Sequence, residues 1–202
     1  MGITVEERAA FRDSVQRLLA DRSAEADVRR TMETEAGFDR DLWRALAEVG
    51  AVGLIVEEAH GGAGAGPEAL ELVFEEVGAA LLCGPLLSSG VLAAGLLQAL
   101  GDEEANGRLL PAIADGSLIA TAALTGPDGS WTEEGVAVTA AEAGGRWTLS
   151  GTASYVTHGQ SADVLLVLAR TAEGLAAFEA DPAARGVEVA ALPTFDHTLR
   201  MA

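Results

Sequence analysis

The sequence predicts an α+β chain: a helical domain over 1–116, then an antiparallel, barrel-like β domain over 117–202. Three observations predict it. Apolar residues recur at helical spacing through the first half, helix-capping residues stand at the starts of several of those runs, and the period drops to two after Asp115-Gly116. Helices followed by strands, segregated along the chain, mark this class.

About five helices are expected. Thr4 and Glu7 make a capping box for the first, which carries Phe11, Val15, Leu18 and Leu19. Asp39 caps a second with Leu42, Leu46 and Val49, and Gly50 stops it. After the turn from His60 to Gly66, Pro67 opens a third with Leu70, Val73, Phe74, Val77 and Leu81. Beyond Gly84-Pro85 a fourth uses Leu92, Leu96 and Leu100 and ends at Gly101. Asp102 caps the fifth, with Leu109, Leu110 and Ile113.

Short strands are expected at 119–124, 136–140, 147–149, 155–157, 164–169, 175–179 and 187–189, with a hairpin turn at Gly144-Gly145. The ending, from Leu192 to Ala202, neither caps a helix nor finishes a strand, so the β domain reads as cut off.

Composition excludes several function classes. The 202 residues hold 31 carboxylates against 13 arginines and no lysine, a net charge of −18. No basic stripe is available to displace counterions from nucleic acid or to grip an anionic membrane. Met1 to Glu7 is acidic where a signal peptide is basic, and Glu6 departs from the myristoylation pattern after Gly2. The longest mostly apolar run, Gly90 to Leu100, is shorter than the roughly 20 residues of a spanning helix. A soluble, cytoplasmic protein without membrane insertion is expected. The single cysteine, Cys83, forms no intramolecular disulfide, fits a reducing compartment, and lies in an apolar stretch that reads as core.

Most candidate chemistry dissolves into ordinary structure. The acidic pairs Glu57-Glu58, Glu75-Glu76, Glu103-Glu104 and Glu133-Glu134 read as solvated faces in so acidic a chain. His60, His158 and His197 lack metal-ligand spacing, so no metal site is expected, and no Gly-x-Ser-x-Gly elbow occurs. Gly61, Gly62, Gly64 and Gly66 have no βαβ unit around them, which a dinucleotide fingerprint requires. Two segments carry more. The strand that runs through Leu124 and Thr125 into Gly126-Pro127-Asp128-Gly129-Ser130 ends in a turn whose backbone N–H groups and hydroxyls suit phosphate oxygens. Ser154-Tyr155-Val156-Thr157-His158-Gly159, read as a strand, sets the Tyr155 ring and the Thr157 hydroxyl on one face, which suits a flat heteroaromatic ligand with a polar edge.

With these residues in place the chain resembles the acyl-CoA dehydrogenases, over nearly its whole length. Phe38 to Gly50 is similar to the family's helix before its Pro-Glu-Glu-x-Gly-Gly segment, here Val56-Glu57-Glu58-Ala59-His60-Gly61-Gly62. Leu70 to Pro85 is similar to the helix ending in Glu-x-Gly with a later Pro. Ala123 to Ser130 resembles the Leu-Thr-Glu-Pro-x-Ala-Gly-Ser flavin loop. Tyr155 to Asp163, running on to Ala169-Arg170-Thr171, resembles Trp/Tyr-Ile-Thr-Asn-Gly and the strand after it.

The resemblance implies FAD along the β domain, an acyl-CoA between that domain and the helices, and α,β-dehydrogenation by α-proton abstraction with hydride transfer to flavin N5. Carried over by position, Leu124, Thr125, Ser130, Tyr155, Val156 and Thr157 would bind the cofactor. Thr157 would meet the flavin N5 edge, Tyr155 would pack on the ring system, and Thr125 and its neighbours would meet the pyrimidine end. Ser130 would lie by the pyrophosphate or the substrate's thioester arm. The resemblance also implies an electron-accepting partner protein and a homo- or hetero-oligomer. It further implies a C-terminal helical bundle, absent from these residues, that carries the catalytic base; no residue of this chain matches that base. Gly126 stands where the family has Glu, and the loop is one residue shorter, with Trp131 after Ser130. That departure fits a rival function, a non-catalytic subunit with a degraded flavin site. Oxidase or monooxygenase chemistry on the same fold is a third option.

Overall fold

Caps written in the sequence start three of the six α-helices among the described residues, and buried stripes hold the helices together. The computed structural model describes residues 4–202; Met1–Ile3, and with them the Gly2 pattern, lie outside the described residues. α1 (Val5–Arg22) begins at Thr4, whose side chain accepts from the Glu7 N–H while the Glu7 carboxylate accepts from the Thr4 N–H. Val15 and Leu19 on its inner face are fully buried. α2 (Glu25–Met32) is a helix that the sequence pattern does not announce. It buries only Val28 and Thr31, so its apolar stripe is too thin to read as a period.

α3 (Arg40–Glu48) starts where Asp39 accepts from the N–H groups of Asp41 and Leu42. It buries Leu42, Trp43 and Leu46, and the Trp43 indole donates to the Gly116 carbonyl at 3.0 Å. α4 (Pro67–Ala79) has Pro67 at its first position. The expected fourth helix takes a form that spacing does not specify: Leu86–Ala93 is a π-helix that runs on into α5 (Ala94–Leu100), stopped by Gly101 at φ +67°. α6 (Glu103–Ala114) is capped by Asp102.

The strands are β1 (Ala120–Ala123), β2 (Thr139–Ala143), β3 (Arg146–Ser150), β4 (Val164–Thr171) and β5 (Gly174–Ala180). The expectation of an antiparallel sheet is corrected here: the sheet is mixed. The hairpins β2–β3 and β4–β5 are antiparallel, but β1 pairs with β4 in parallel from Ala120–Val164 to Ala123–Val167, and β2 meets β4 in parallel at Thr139–Arg170. Short turns force antiparallel neighbours, and Gly144 and Gly145, both at positive φ, make one of them. The long chain between β1 and β4 is free to return to the same end, which alternation in sequence cannot reveal. β1 is buried along its whole length, as a covered parallel strand should be.

Two expected strands are absent as strands. Residues 187–189 form no ladder, and 155–157 contribute only an isolated bridge, Thr157 with Met201, while Ser154 just before them bridges Thr125.

Helices and sheet share their cores. Val15, Leu19, Leu46 and Val73 from the helices pack in one cluster with Ile119, Ala123, Leu165, Val167 and Ala169. Leu166 faces the other way and joins Leu97, Leu109, Leu110 and Ile113 with Ala120. Successive β4 residues thus serve opposite faces, as the strand period demands. This packing sets the end of β1 and its following loop beside the 154–161 segment.

Candidate functional site

The loop after β1 is held flat by close backbone approaches. Leu124 is half-buried. Thr125 is buried; its hydroxyl donates to the Ser154 carbonyl at 2.8 Å, and the Ser154 N–H donates back to the Thr125 carbonyl at 2.8 Å. The Gly126 N–H donates to the Gly135 carbonyl at 2.8 Å. A Cβ on Gly126 would stand 2.6 Å from the Ala137 Cβ and 2.8 Å from the Gly135 oxygen, so no side chain fits there. The Ser130 N–H donates to the Asp128 carboxylate at 3.2 Å, and the Ser130 hydroxyl lies 3.0 Å from that of Thr132. Trp131 beside it is largely exposed.

Tyr155 and Thr157 do not share a strand face, which corrects the sequence expectation. Tyr155 has φ +58°, a left-handed conformation that breaks strand alternation. That turn lays its ring over the loop: a Cβ on Gly129 would meet the ring at 3.3 Å, and the phenol donates to the Pro127 carbonyl at 3.2 Å. Tyr155, Thr125 and the loop leading to Ser130 therefore form one assembly. Val156 is buried and lines a cavity of about 530 Å³ shared with Leu149, Leu165, Val167 and Val189 and with the polar Ser150, Thr152 and Glu188.

Thr157 has an anchored carbonyl and open donors. Its carbonyl accepts the Thr121 hydroxyl at 2.7 Å. The hydrogen bonds to the 200–202 segment come from its neighbours: Val156 and Ala202 exchange two at 2.9 Å, and the His158 N–H donates to the Arg200 carbonyl at 2.8 Å. This leaves the Thr157 N–H and hydroxyl without partners among the described residues. Two donors without partners, on a residue whose carbonyl is fixed and near a half-exposed aromatic ring, fit the polar edge of a flat heteroaromatic group such as a flavin.

Sequence reasoning missed the polar groups behind Thr157. His158 is 1% exposed, at φ +54°, with its Nδ1 3.4 Å from the Ser88 hydroxyl. Burial, with a smaller contribution from the Arg200 charge, pushes its pKa down to about 4, so the ring is neutral. Ser88 and Ser89 are fully buried on the π-helix, and the Ser89 hydroxyl accepts from the Ala120 N–H at 3.1 Å. The adjacent serines inside the apolar run 86–97 are the one legible signal. Cys83, by contrast, is buried as expected, and burial raises its thiol pKa. No helix among the described residues is long and apolar enough to cross a membrane.

The model for the acyl-CoA dehydrogenase N-terminal domain matches residues 5–117. Acyl-CoA dehydrogenase FadE12 of Mycobacterium tuberculosis is 31% identical over 174 residues, 85% of this chain and 44% of that protein. Acyl-CoA dehydrogenase FadE27 of the same organism is 38% identical over 160 residues, 79% of this chain and 42% of that protein. The crystal structure of the ChsE4-ChsE5 complex from Mycobacterium tuberculosis is similar at TM-score 0.87 and 32% identity, over 98% of this chain and 53% of that one. The chain thus spans less than half the length of these curated relatives.

Proposed function

This chain belongs to the acyl-CoA dehydrogenase family, and on that premise we propose that it supplies the N-terminal helical domain and flavin-facing β portion of an FAD-dependent dehydrogenase acting on an acyl-CoA thioester. The observation that carries the reading is Thr157, whose N–H and hydroxyl stay open while Thr121 fixes its carbonyl. Bound FAD would accept the hydrogen that leaves the acyl β-carbon as hydride. The chain's own residues bind and orient. Thr157 donates from its N–H and hydroxyl to the polar edge of the flavin, and Tyr155 packs on the ring system. Leu124 and Thr125 contribute to the cofactor's remaining contacts, Thr125 through main chain at the pyrimidine end, and Val156, bonded through its backbone to Ala202, serves by placing its two neighbours. Ser130 serves the pyrophosphate or the thioester arm of the substrate. Preset donors stabilise charge as it develops, without reorganising. No residue of this chain is assigned the base that removes the α-proton. A cytoplasmic oligomer that passes electrons to an acceptor protein completes the reading.

A second reading has its own observation. Gly126 carries no side chain where the family pattern has Glu, and its surroundings exclude one. A non-catalytic subunit of a heteromeric dehydrogenase accounts for that as well. The test is to purify the protein alone and with its co-expressed partner, record the visible spectrum, and add a panel of acyl-CoAs. Flavin that stays with the protein alone and bleaches with one acyl-CoA supports the first reading. Flavin retained only in the presence of a partner supports the second, and no flavin in either preparation sinks both.

A further inference from the structure

The buried polar groups behind Thr157 form a chain of contacts whose direction can be worked out atom by atom. The Ser88 hydroxyl lies 3.1 Å from the Pro85 carbonyl, which can only accept. With its proton on Pro85, which also accepts the Ser89 N–H at 2.8 Å, the hydroxyl accepts from His158 at 3.4 Å. In that arrangement the His158 ring carries its proton on Nδ1. Its Nε2 is left as a bare acceptor, and it is the atom with no partner among the described residues. A buried imidazole with one nitrogen bonded and the other bare is neutral, in agreement with its depressed pKa.

The element that supplies Ser88 is unusual. A π-helix has more residues per turn than an α-helix, so consecutive side chains diverge less around its axis, and π-helices favour functional positions. Here that geometry turns both Ser88 and Ser89 inward, each fully buried. Ser89 holds the start of β1 through the Ala120 N–H, and the next residue, Thr121, holds the Thr157 carbonyl. Ser88 holds His158, one residue beyond Thr157. The two serines thus reach Thr157 from both sides: through β1 to its carbonyl, and through the imidazole to its following residue.

We propose that His158, held in its Nδ1–H tautomer by Ser88 of the π-helix, is a positioning residue that orients Thr157 toward the cofactor. The proposal rests on the flavin reading above for its purpose, but not for its geometry. His158 itself touches neither cofactor nor substrate; it acts through Thr157.

The test begins with the purified 202-residue chain, ¹⁵N-labelled and without flavin, so that it stands apart from the dehydrogenase reading. Nitrogen shifts of the His158 ring should report a protonated Nδ1 and a bare Nε2. Ser88→Ala, a substitution 70 residues away in sequence, should mix the tautomers and move the Thr157 amide resonance. A protonated Nε2 in the wild type, or a Thr157 amide indifferent to Ser88→Ala, overturns the proposal. A flavin arm uses the whole protein. His158→Asn keeps an N–H donor near the Nδ1 position and tolerates the left-handed backbone, so it should retain the wild-type flavin absorption bands. His158→Leu removes the donor and should shift them. Bands equally displaced in both variants, or in neither, overturn the positioning role. If wild-type protein holds no flavin, the proposed function fails, while the tautomer and amide results still decide the geometry.

Discussion

Acidifying the solution from about pH 7.5 to about pH 5 should weaken the fold through His158 alone by about 2 kcal/mol. The ring titrates at 6.5 when unfolded and at about 4 when folded, because burial and the Arg200 charge oppose its protonation. Between those values the unfolded chain binds a proton that the folded chain refuses. The stability from burying the neutral ring is therefore complete above pH 6.5 and is lost as the pH falls toward 4. The whole span corresponds to about 3 kcal/mol, of which about 2 is already lost near pH 5. The 31 carboxylates and the net charge of −18 give the chain a large pH dependence of their own, so the assay must be differential. Urea unfolding followed by tryptophan fluorescence, on wild type and His158→Asn at both pH values, isolates the imidazole, because the other groups are common to both proteins. The wild type should lose about 2 kcal/mol more than the variant on acidification. Pairs of unfolding curves that shift in parallel, within a few tenths of a kcal/mol, would refute a buried, neutral His158.

Three other contacts lead to outcomes of their own. Gly126→Glu should lower stability by about 3 kcal/mol, since its Cβ meets the Ala137 Cβ at 2.6 Å and its carboxylate enters a buried position; an unchanged melting temperature would contradict the packing. Arg200→Ala should cost about 2 kcal/mol by removing the guanidinium bonds to the Met32 and Thr34 carbonyls at 2.6 and 2.8 Å; limited proteolysis should then cut near residue 195 faster than in wild type. Cys83, 5% exposed with its thiolate disfavoured by burial, should react with a thiol reagent at least about 100-fold more slowly in the native chain than in urea, and equal rates would place it outside the core.

The legible parts of the fold are those written in local chemistry. Thr4, Asp39 and Asp102 announce helix starts because a side-chain oxygen within three residues satisfies free amides, and each does so in the structure. Gly144-Gly145 announces a hairpin for the same local reason. α2 stays hidden because a helix with only Val28 and Thr31 buried has no period to detect. The direction of β1 against β4 stays hidden because alternation encodes faces and not polarity. At the site, Thr125, Ser130, Tyr155 and Thr157 are legible as residue types. Their arrangement is not, since the left-handed turn at Tyr155 is carried by a residue that rarely adopts it. The contact of Ser88 with His158 joins residues 70 apart. Nothing in a single sequence marks such a pair, although two adjacent serines in an apolar run ask what they bond to.

The same distinction bears on the departure at Gly126. From sequence, a missing Glu and a shortened loop read as decay of a flavin-binding segment. A decayed loop should relax, with side chains tolerated and polar groups turned to water. This loop instead brings the Gly126 N–H onto the Gly135 carbonyl, seats both glycines where a Cβ would collide, and carries the Tyr155 ring against Gly129 with its hydroxyl on Pro127. The close approaches require glycine at 126 and 135, and the bond to Pro127 requires the tyrosine. On this path Gly126 lies against Ala137, where glycine is what the packing demands. The missing Glu thus goes with a packed path and not with a relaxed loop. Any cofactor grip from this loop has to come from its main chain and from Thr125 and Ser130, which makes the rigidity of the Thr157 anchor behind it the more consequential half of the site.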